Sequence, residues 1–201
     1  VRLLLVRHGA TGWNEQGLCL GRRDIPLSPT GRRQAELLGR ALEGQRFDRV
    51  FASPLARAVE TARLLGHEPE LLPDLLEIDR GAWEGLGPEG IRARDPDLHA
   101  RWYADPTGLA MPSGESFAHL LERARRALAL LEGAGSSVLA VGHKATNRVL
   151  IARALRKEAK GVWGIPQPQA CLTVLVKEGG RFRAELLGDV AHLPPGLRSD
   201  S

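Results

Sequence analysis

The sequence predicts an α/β fold: a mainly parallel central sheet with helices on both faces and a small cap insertion. Two observations predict it. Short apolar runs, each the length of one buried strand, alternate with longer stretches of helical periodicity. The last two runs, Cys171–Lys177 and Phe182–Leu187, have no helix between them. They meet at Gly179-Gly180, which signals an antiparallel hairpin.

Each element follows from its residues. Val1–Val6 is a nearly continuous apolar run and suits a strand buried on both faces. The stretch from Arg7 to Asp24 is rich in glycine and polar residues and reads as a functional loop. Ser28-Pro29 is an N-cap followed by proline at the first helical position, and Ala35, Leu38 and Leu42 continue at helical spacing. Asp48–Ala52 is a second strand. Ser53-Pro54 repeats the helix-start signal, Leu55, Val59, Ala62 and Leu65 form an apolar stripe, and Gly66 is the C-cap. Leu71-Leu72 reads as a third strand. From Glu77 to Gly114 glycine, proline and tryptophan break the pattern, and only Ile91–Ala104 is helical. Residues 78–114 therefore read as the cap insertion. Glu115–Leu131 is strongly amphipathic, Ser137–Val141 is another buried strand, and a helix follows Gly142-His143 to Leu155.

Composition narrows the function. A chain of 201 residues suits one domain, residues 1–201, with a core that needs no staples. Hydrophobic residues are 43% and charged residues 26%, as in an average globular protein. The two cysteines, Cys19 and Cys171, lie far apart and in no metal spacing, against a disulfide scaffold or a cysteine zinc site. No apolar run approaches the ~20 residues of a membrane span. Val1–Val6 is too short for a secretory leader, so a cytoplasmic protein without a membrane partner is expected. The net charge is +4, but the basic residues are dispersed and form no nucleic-acid motif. That balance suits an anionic small substrate.

In open α/β sheets, ligands bind beyond the carboxyl ends of the strands. Three predicted strand ends carry polar residues there: Arg7-His8-Gly9, Ser53-Pro54 leading to Arg57, and Gly142-His143. Two arginines and two histidines at helix N-termini make a phosphate site. Guanidinium forks match phosphate oxygens, and helix N-termini add backbone N–H donors. A neutral imidazole can attack phosphorus to give a covalent intermediate. A carboxylic acid must then protonate the leaving oxygen. Glu77, after Leu75-Leu76 at the mouth of the insertion, is the candidate.

Longer motifs run through the chain in order. They are Leu5-Val6-Arg7-His8-Gly9-Ala10-Thr11-Gly12-Trp13-Asn14, then Gly21-Arg22-Arg23-Asp24 leading to Gly31, then Ser53-Pro54-Leu55-Ala56-Arg57 leading to Ala62. Glu77-Ile78-Asp79-Arg80-Gly81-Ala82-Trp83-Glu84-Gly85, Pro112–Ser116 and Val141-Gly142-His143 complete them. Together they resemble the histidine phosphatase superfamily, whose founding members include the phosphoglycerate mutases. The resemblance implies a phosphoglycerate mutase-like three-layer sandwich. It implies His8 as the nucleophile that becomes phosphohistidine. Arg7, Arg57 and His143 would hold the phosphoryl oxygens, and Glu77 would be general acid and then base. Asn14 would contact the phosphate, and Gly21 would offer backbone near the substrate. Arg22 and Arg23 sit in the second loop, and one of them, taken as Arg22, is expected to reach the substrate. No metal or cofactor is implied.

Lys144 departs from the family, which often has small residues after the second histidine. A lysine at a helix N-terminus opposes the macrodipole, at a cost that a bound anion reduces. Lys144 is therefore a candidate for a second anionic group on the substrate. Gln169 falls where relatives often place an asparagine near the site. Trp83, Trp102 and Tyr103 either line the pocket or pack the insertion onto the body. His67, His99, His119 and His192 match no motif and read as structural or exposed, and Cys19 reads as a small packing residue. The implied activity is metal-independent hydrolysis of a small phosphomonoester, with phosphoglycerate mutase-type transfer as the alternative. The short insertion and the segment after Glu77 look more like the phosphatase branch. Similar phosphatases act on phosphorylated sugars, phosphoglycerate derivatives or a cobalamin-precursor ribotide phosphate. Both a monomer and a homodimer occur among relatives. The rate is expected to peak on the acidic to neutral side, with two apparent pKa values.

Overall fold

The computed structural model describes residues 1–199. Six strands form one sheet in the order β3-β2-β4-β1-β5-β6. They are β1 (Arg2–Arg7), β2 (Arg49–Ala52), β3 (Glu70–Leu71), β4 (Ser137–Gly142), β5 (Leu172–Glu178) and β6 (Arg181–Asp189). β1, β2, β3 and β4 run parallel, whereas β5 pairs antiparallel with β1 and with β6. The hairpin turn is Gly179-Gly180, both at positive φ, as a tight turn between twisted strands requires.

Alternation along the strands divides the core between two faces. Leu3 and Leu5 of β1 point to the face covered by α6 (Phe117–Gly133) and α7 (Lys144–Ala154). Leu4 and Val6 point to the face covered by α2 (Pro29–Ala41) and α3 (Ala56–Leu64). All four are at most 1% exposed, and each buried side chain contributes about 1.5–3 kcal/mol. The result is the three-layer, phosphoglycerate mutase-like arrangement expected from the sequence.

Four local expectations are corrected. The loop after β1 contains a short helix, α1 (Gly12–Glu15). The Thr11 hydroxyl accepts from the Asn14 N–H, and the Asn14 side chain accepts from the Thr11 N–H. Ser53 is not the N-cap of α3; that helix starts at Ala56 after Leu55, because the buried Ser53 hydroxyl is engaged elsewhere. The helix expected over 91–104 is two helices, α4 (Pro88–Arg94) and α5 (Pro96–Ala104). They break at Asp95-Pro96, because proline disfavours the helical conformation of the residue before it and lacks an N–H. Finally, α6 begins at Phe117 behind the cap Ser116, two residues later than the amphipathic pattern suggested. Residues 78–114 share the body's core: Trp83, Ile91, Trp102 and Met111 pack in the same cluster as Leu3 and Leu5.

Backbone contact fixes the loop after β1. A Cβ on Gly31, in the first turn of α2, would lie 1.9 Å from the Ala10 carbonyl oxygen. Gly31→Ala is therefore expected to destabilise the fold by about 1–3 kcal/mol. Gly133→Ala, where a Cβ meets nothing within 4 Å, should be neutral or stabilising by up to about 1 kcal/mol. Urea denaturation of the two variants checks the contrast.

Candidate active site

The parallel register brings the predicted residues to one edge. Arg7 of β1 lies opposite Gly142 of β4, and Ala52 of β2 lies opposite Val141. The next residues, His8, His143 and Ser53, therefore emerge side by side. The segment before β5 joins them: the Arg7 N–H donates to the Cys171 carbonyl and the Ala170 N–H to the His8 carbonyl. A cavity of about 360 Å³ opens here, and its lining includes Arg7, His8, Arg57, Glu77 and Lys144. A larger groove of about 510 Å³, between α6, α7 and the β5–β6 hairpin, contains none of these groups.

His8, Arg7, Arg57, Glu77 and His143 are all buried. His8 Nδ1 lies 2.6 Å from the Gly9 carbonyl oxygen, so that nitrogen carries the hydrogen and Nε2 keeps its lone pair. The Arg57 Nε–H is shared between His8 Nε2 and His143 Nδ1, each at 3.3 Å. His143 Nε2 then donates to the Ser53 hydroxyl at 2.7 Å. The imidazole rings lie 5.0 Å apart. Both are held neutral: burial, then the charge of Arg57, pushes each pKa well below the ordinary 6.5.

The two arginines are fixed differently. Arg57 donates to the carbonyls of Gly21 at 2.7 Å and Arg23 at 2.9 Å. Arg7 donates through Nη1 to the Gln167 carbonyl, and its buried Nε meets no partner among the described residues. Burial lowers both guanidinium pKa values to about 10, so both remain charged at neutral pH.

Glu77 sits on the start of α7. Its carboxylate accepts from the N–H groups of Ala145 at 3.0 Å, Thr146 at 3.2 Å and Ile78 at 2.9 Å. This corrects the expectation of open helix N-termini. The first turn of α7 is spent on Glu77, and the Ala56 N–H opening α3 is capped by Asp24 at 2.8 Å. Guanidinium groups are left as the donors facing the cavity. Behind Glu77, the Arg123 guanidinium makes a two-point pair with Glu115, at 2.7 and 3.0 Å, and donates to the carbonyls of Leu76 and Asp74. Sequence reasoning missed Arg123; its signal was a charge on the buried stripe of α6, beside Leu120 and Ala124.

The expected substrate contacts divide. Lys144 lines the cavity, as do Asn14 and Gln169. The Asn14 carbonyl oxygen is occupied by Thr11, and that of Gln169 accepts from the Ser199 hydroxyl. Gly21 instead presents its carbonyl to Arg57, and a Cβ there would collide with the Arg80 N–H and the Ile78 carbonyl. Arg22 is drawn off to the Glu77 carbonyl at 3.2 Å and the Glu115 carboxylate at 3.3 Å. Trp83 and Trp102 are core residues, whereas Tyr103 and His99 face the cavity.

The sheet order and paired imidazoles define a phosphoglycerate mutase-like protein. A model of the histidine phosphatase superfamily (branch 1) matches residues 3–190, and the chain belongs to that family. An acid phosphatase of Mycobacterium tuberculosis is 36% identical over 199 residues, 96% of this chain and 95% of that one. The adenosylcobalamin/alpha-ribazole phosphatase of Salmonella typhimurium is 34% identical over 181 residues, 87% of this chain and 90% of its own. The solved structure of Bacillus stearothermophilus YhfR superposes with a TM-score of 0.87 at 30% identity, covering 95% of this chain and 98% of that one. A bifunctional protein of Mycobacterium tuberculosis matches at 39% over 161 residues, 77% of this chain, which span 44% of its length.

Two outcomes are expected. In nitrogen NMR titrations, His8 stays neutral with hydrogen on Nδ1, and His143 with hydrogen on Nε2, well below pH 6.5. The unfolded chain protonates these groups near 6.5 and the fold resists. Stability therefore falls as pH drops through 6.5 towards the folded values, by about 1.4 kcal/mol per pH unit for each. An ordinary titration of either ring contradicts this. Arg123→Met, which removes the two-point partner of the buried Glu115 carboxylate and leaves it only the more exposed Arg22, should cost about 3 kcal/mol in urea denaturation.

Proposed function

We propose that the protein is a metal-independent phosphomonoesterase that works through phosphohistidine on His8. The observation that carries this reading is the lone pair of His8 Nε2, held in a cavity lined by Arg7, Arg57 and Glu77. His8 Nε2 attacks phosphorus and the ester P–O bond breaks, while Arg7 and Arg57 hold the phosphoryl oxygens and His143, through its Nδ1, orients the Arg57 guanidinium. Protonated Glu77 gives its proton to the leaving alkoxide. Its carboxylate then takes a proton from water, which attacks the phosphohistidine. The P–N bond breaks, inorganic phosphate leaves, and His8 is neutral again. The guanidinium groups supply the positive charge that a phosphoryl group needs, so no metal takes part. Named phosphatases among the relatives support hydrolysis over transfer.

Phosphate release from a panel of small phosphomonoesters in EDTA tests this. Wild type is expected to release phosphate, and His8→Ala to lose about three orders of magnitude or more. Glu77→Gln should lose about 10²–10⁴-fold on alkyl phosphates. In the phosphorylation half-reaction, read as the pre-steady-state burst of leaving group, the loss should be far smaller on p-nitrophenyl phosphate, whose leaving group needs no proton. Equal loss of that burst rate on both substrates would remove Glu77 as the acid. Conversion of 3-phosphoglycerate to 2-phosphoglycerate without phosphate release would replace hydrolysis by the mutase reaction.

A further inference from the structure

The charges in the cavity do not balance. Among the lining residues five side chains are cationic, Arg7, Arg57, Arg80, Lys144 and Arg148, and one is acidic, Glu77. Glu77 is already engaged by the N–H groups of Ile78, Ala145 and Thr146. Arg7 and Arg57 surround His8. Lys144, Arg80 and Arg148 serve no part of the phosphoryl chemistry described above.

These three converge from two elements. Lys144 and Arg148 stand four residues apart on α7, so they share a face and repel each other. Arg80 comes from the segment after Glu77. Its Nη1 is buried without a hydrogen-bond partner among the described residues, and its guanidinium carbon lies 6.0 Å from the centre of the Trp102 ring. Arg148 is buried, and its Nε donates to the Ile165 carbonyl at 2.7 Å, which aims the rest of the guanidinium. Among the described residues none of the three meets a carboxylate within 4 Å. Arg123, also buried, has Glu115. Burial, then the charges of Arg7, Arg148 and Arg80, lower the Lys144 pKa to about 8. Buried charges of one sign persist where a counter-charge arrives with the ligand.

We propose that Lys144, Arg80 and Arg148 form a second anion subsite, and that the substrate is a phosphomonoester bearing a further carboxylate or phosphate group. This inference rests on the phosphomonoesterase reading for which group is cleaved, but the subsite itself is a matter of binding. Its chemistry is two-pronged. The phosphoryl group to be transferred lies at His8, and the second anion lies along the α7 face towards Arg80. The cavity of about 360 Å³ has the size of a small-metabolite site.

Matched pairs of compounds test it. They are 3-phosphoglycerate against glycerol 3-phosphate, O-phosphoserine against phosphoethanolamine, and fructose 1,6-bisphosphate against fructose 6-phosphate. Turnover by wild type gives kcat/KM, and calorimetry on His8→Ala gives Kd without turnover. At least one pair is expected to favour its more anionic member tenfold or more in both readouts. Lys144→Met and Arg80→Gln should each cut that preference fivefold or more, through KM; both residues are partly exposed, so these variants complement Arg148→Gln, whose site is buried. Preferences within threefold for every pair, or a preference untouched by Lys144→Met and Arg80→Gln, would overturn the subsite. A Kd preference that those two variants erase, in a protein that hydrolyses none of the compounds, would keep the subsite and remove the hydrolase reading.

Discussion

The Arg57 guanidinium is fully buried with no carboxylate within 4 Å among the described residues, and the rest of the site is arranged around that fact. Its hydrogens go to two carbonyl oxygens and to the ring nitrogens of His8 and His143. Carbonyls and imidazole lone pairs satisfy the donors without cancelling the charge. The positive potential is therefore kept for a ligand, and together with burial, the larger cause, it keeps both imidazoles unprotonated. Three separate chain segments must meet for this to occur: the ends of β1 and β4 and the loop Gly21–Arg23. Glu84 secures that loop from its other side by accepting from the N–H groups of Arg22 and Arg23.

Glu77 is held by the complementary device. It needs an oriented carboxylate at the cavity wall, and the first turn of α7 supplies two amide donors already aimed at it. The pair Arg123–Glu115 then ties down the backbone on either side, through Leu76 and Asp74 in one direction and Asp79 in the other. A buried ion pair adds little net stability by itself, but it removes alternative placements of the strand-like segment it brackets. Positioning, not stabilisation, is what these two residues contribute.

The strands were legible because burial on both faces leaves an unbroken apolar run, as in Leu3–Val6. The paired histidines were legible because parallel strands put their carboxyl ends on one edge. Two of the readings that failed did so because the partner was remote. Ser53 looks like a helix cap until His143 arrives from ninety residues away to claim its hydroxyl. Arg22 looks like a substrate contact until Glu115 appears beside it. Arg148 gave no signal at all, because nearly all of α7 is buried and it shows no polar face against which one charge would stand out. The break at Asp95-Pro96 was visible in the residues but was overridden by the periodicity on both sides of it.

The cavity has two kinds of wall. His8 hangs from the end of β1, Arg57 from the first turn of α3 and Glu77 from the first turn of α7, while Leu86, Ile91, His99 and Tyr103 come from α4, α5 and the turn before them. The second wall is anchored from behind by Trp83 and Trp102, which are wholly buried, and Trp83 Nε1 donates to Asp95 at the break between the helices. The second wall thus rests on two tryptophans of the shared core, while the first rests on strand ends and helix starts. Substitutions at Leu86, Ile91, His99 or Tyr103 would reshape the cavity without removing a side-chain hydrogen bond that holds His8, Arg57 or Glu77. A designer recombining relatives would place the crossover points outside Trp83 and Trp102, so that each transplanted wall carries its own anchors.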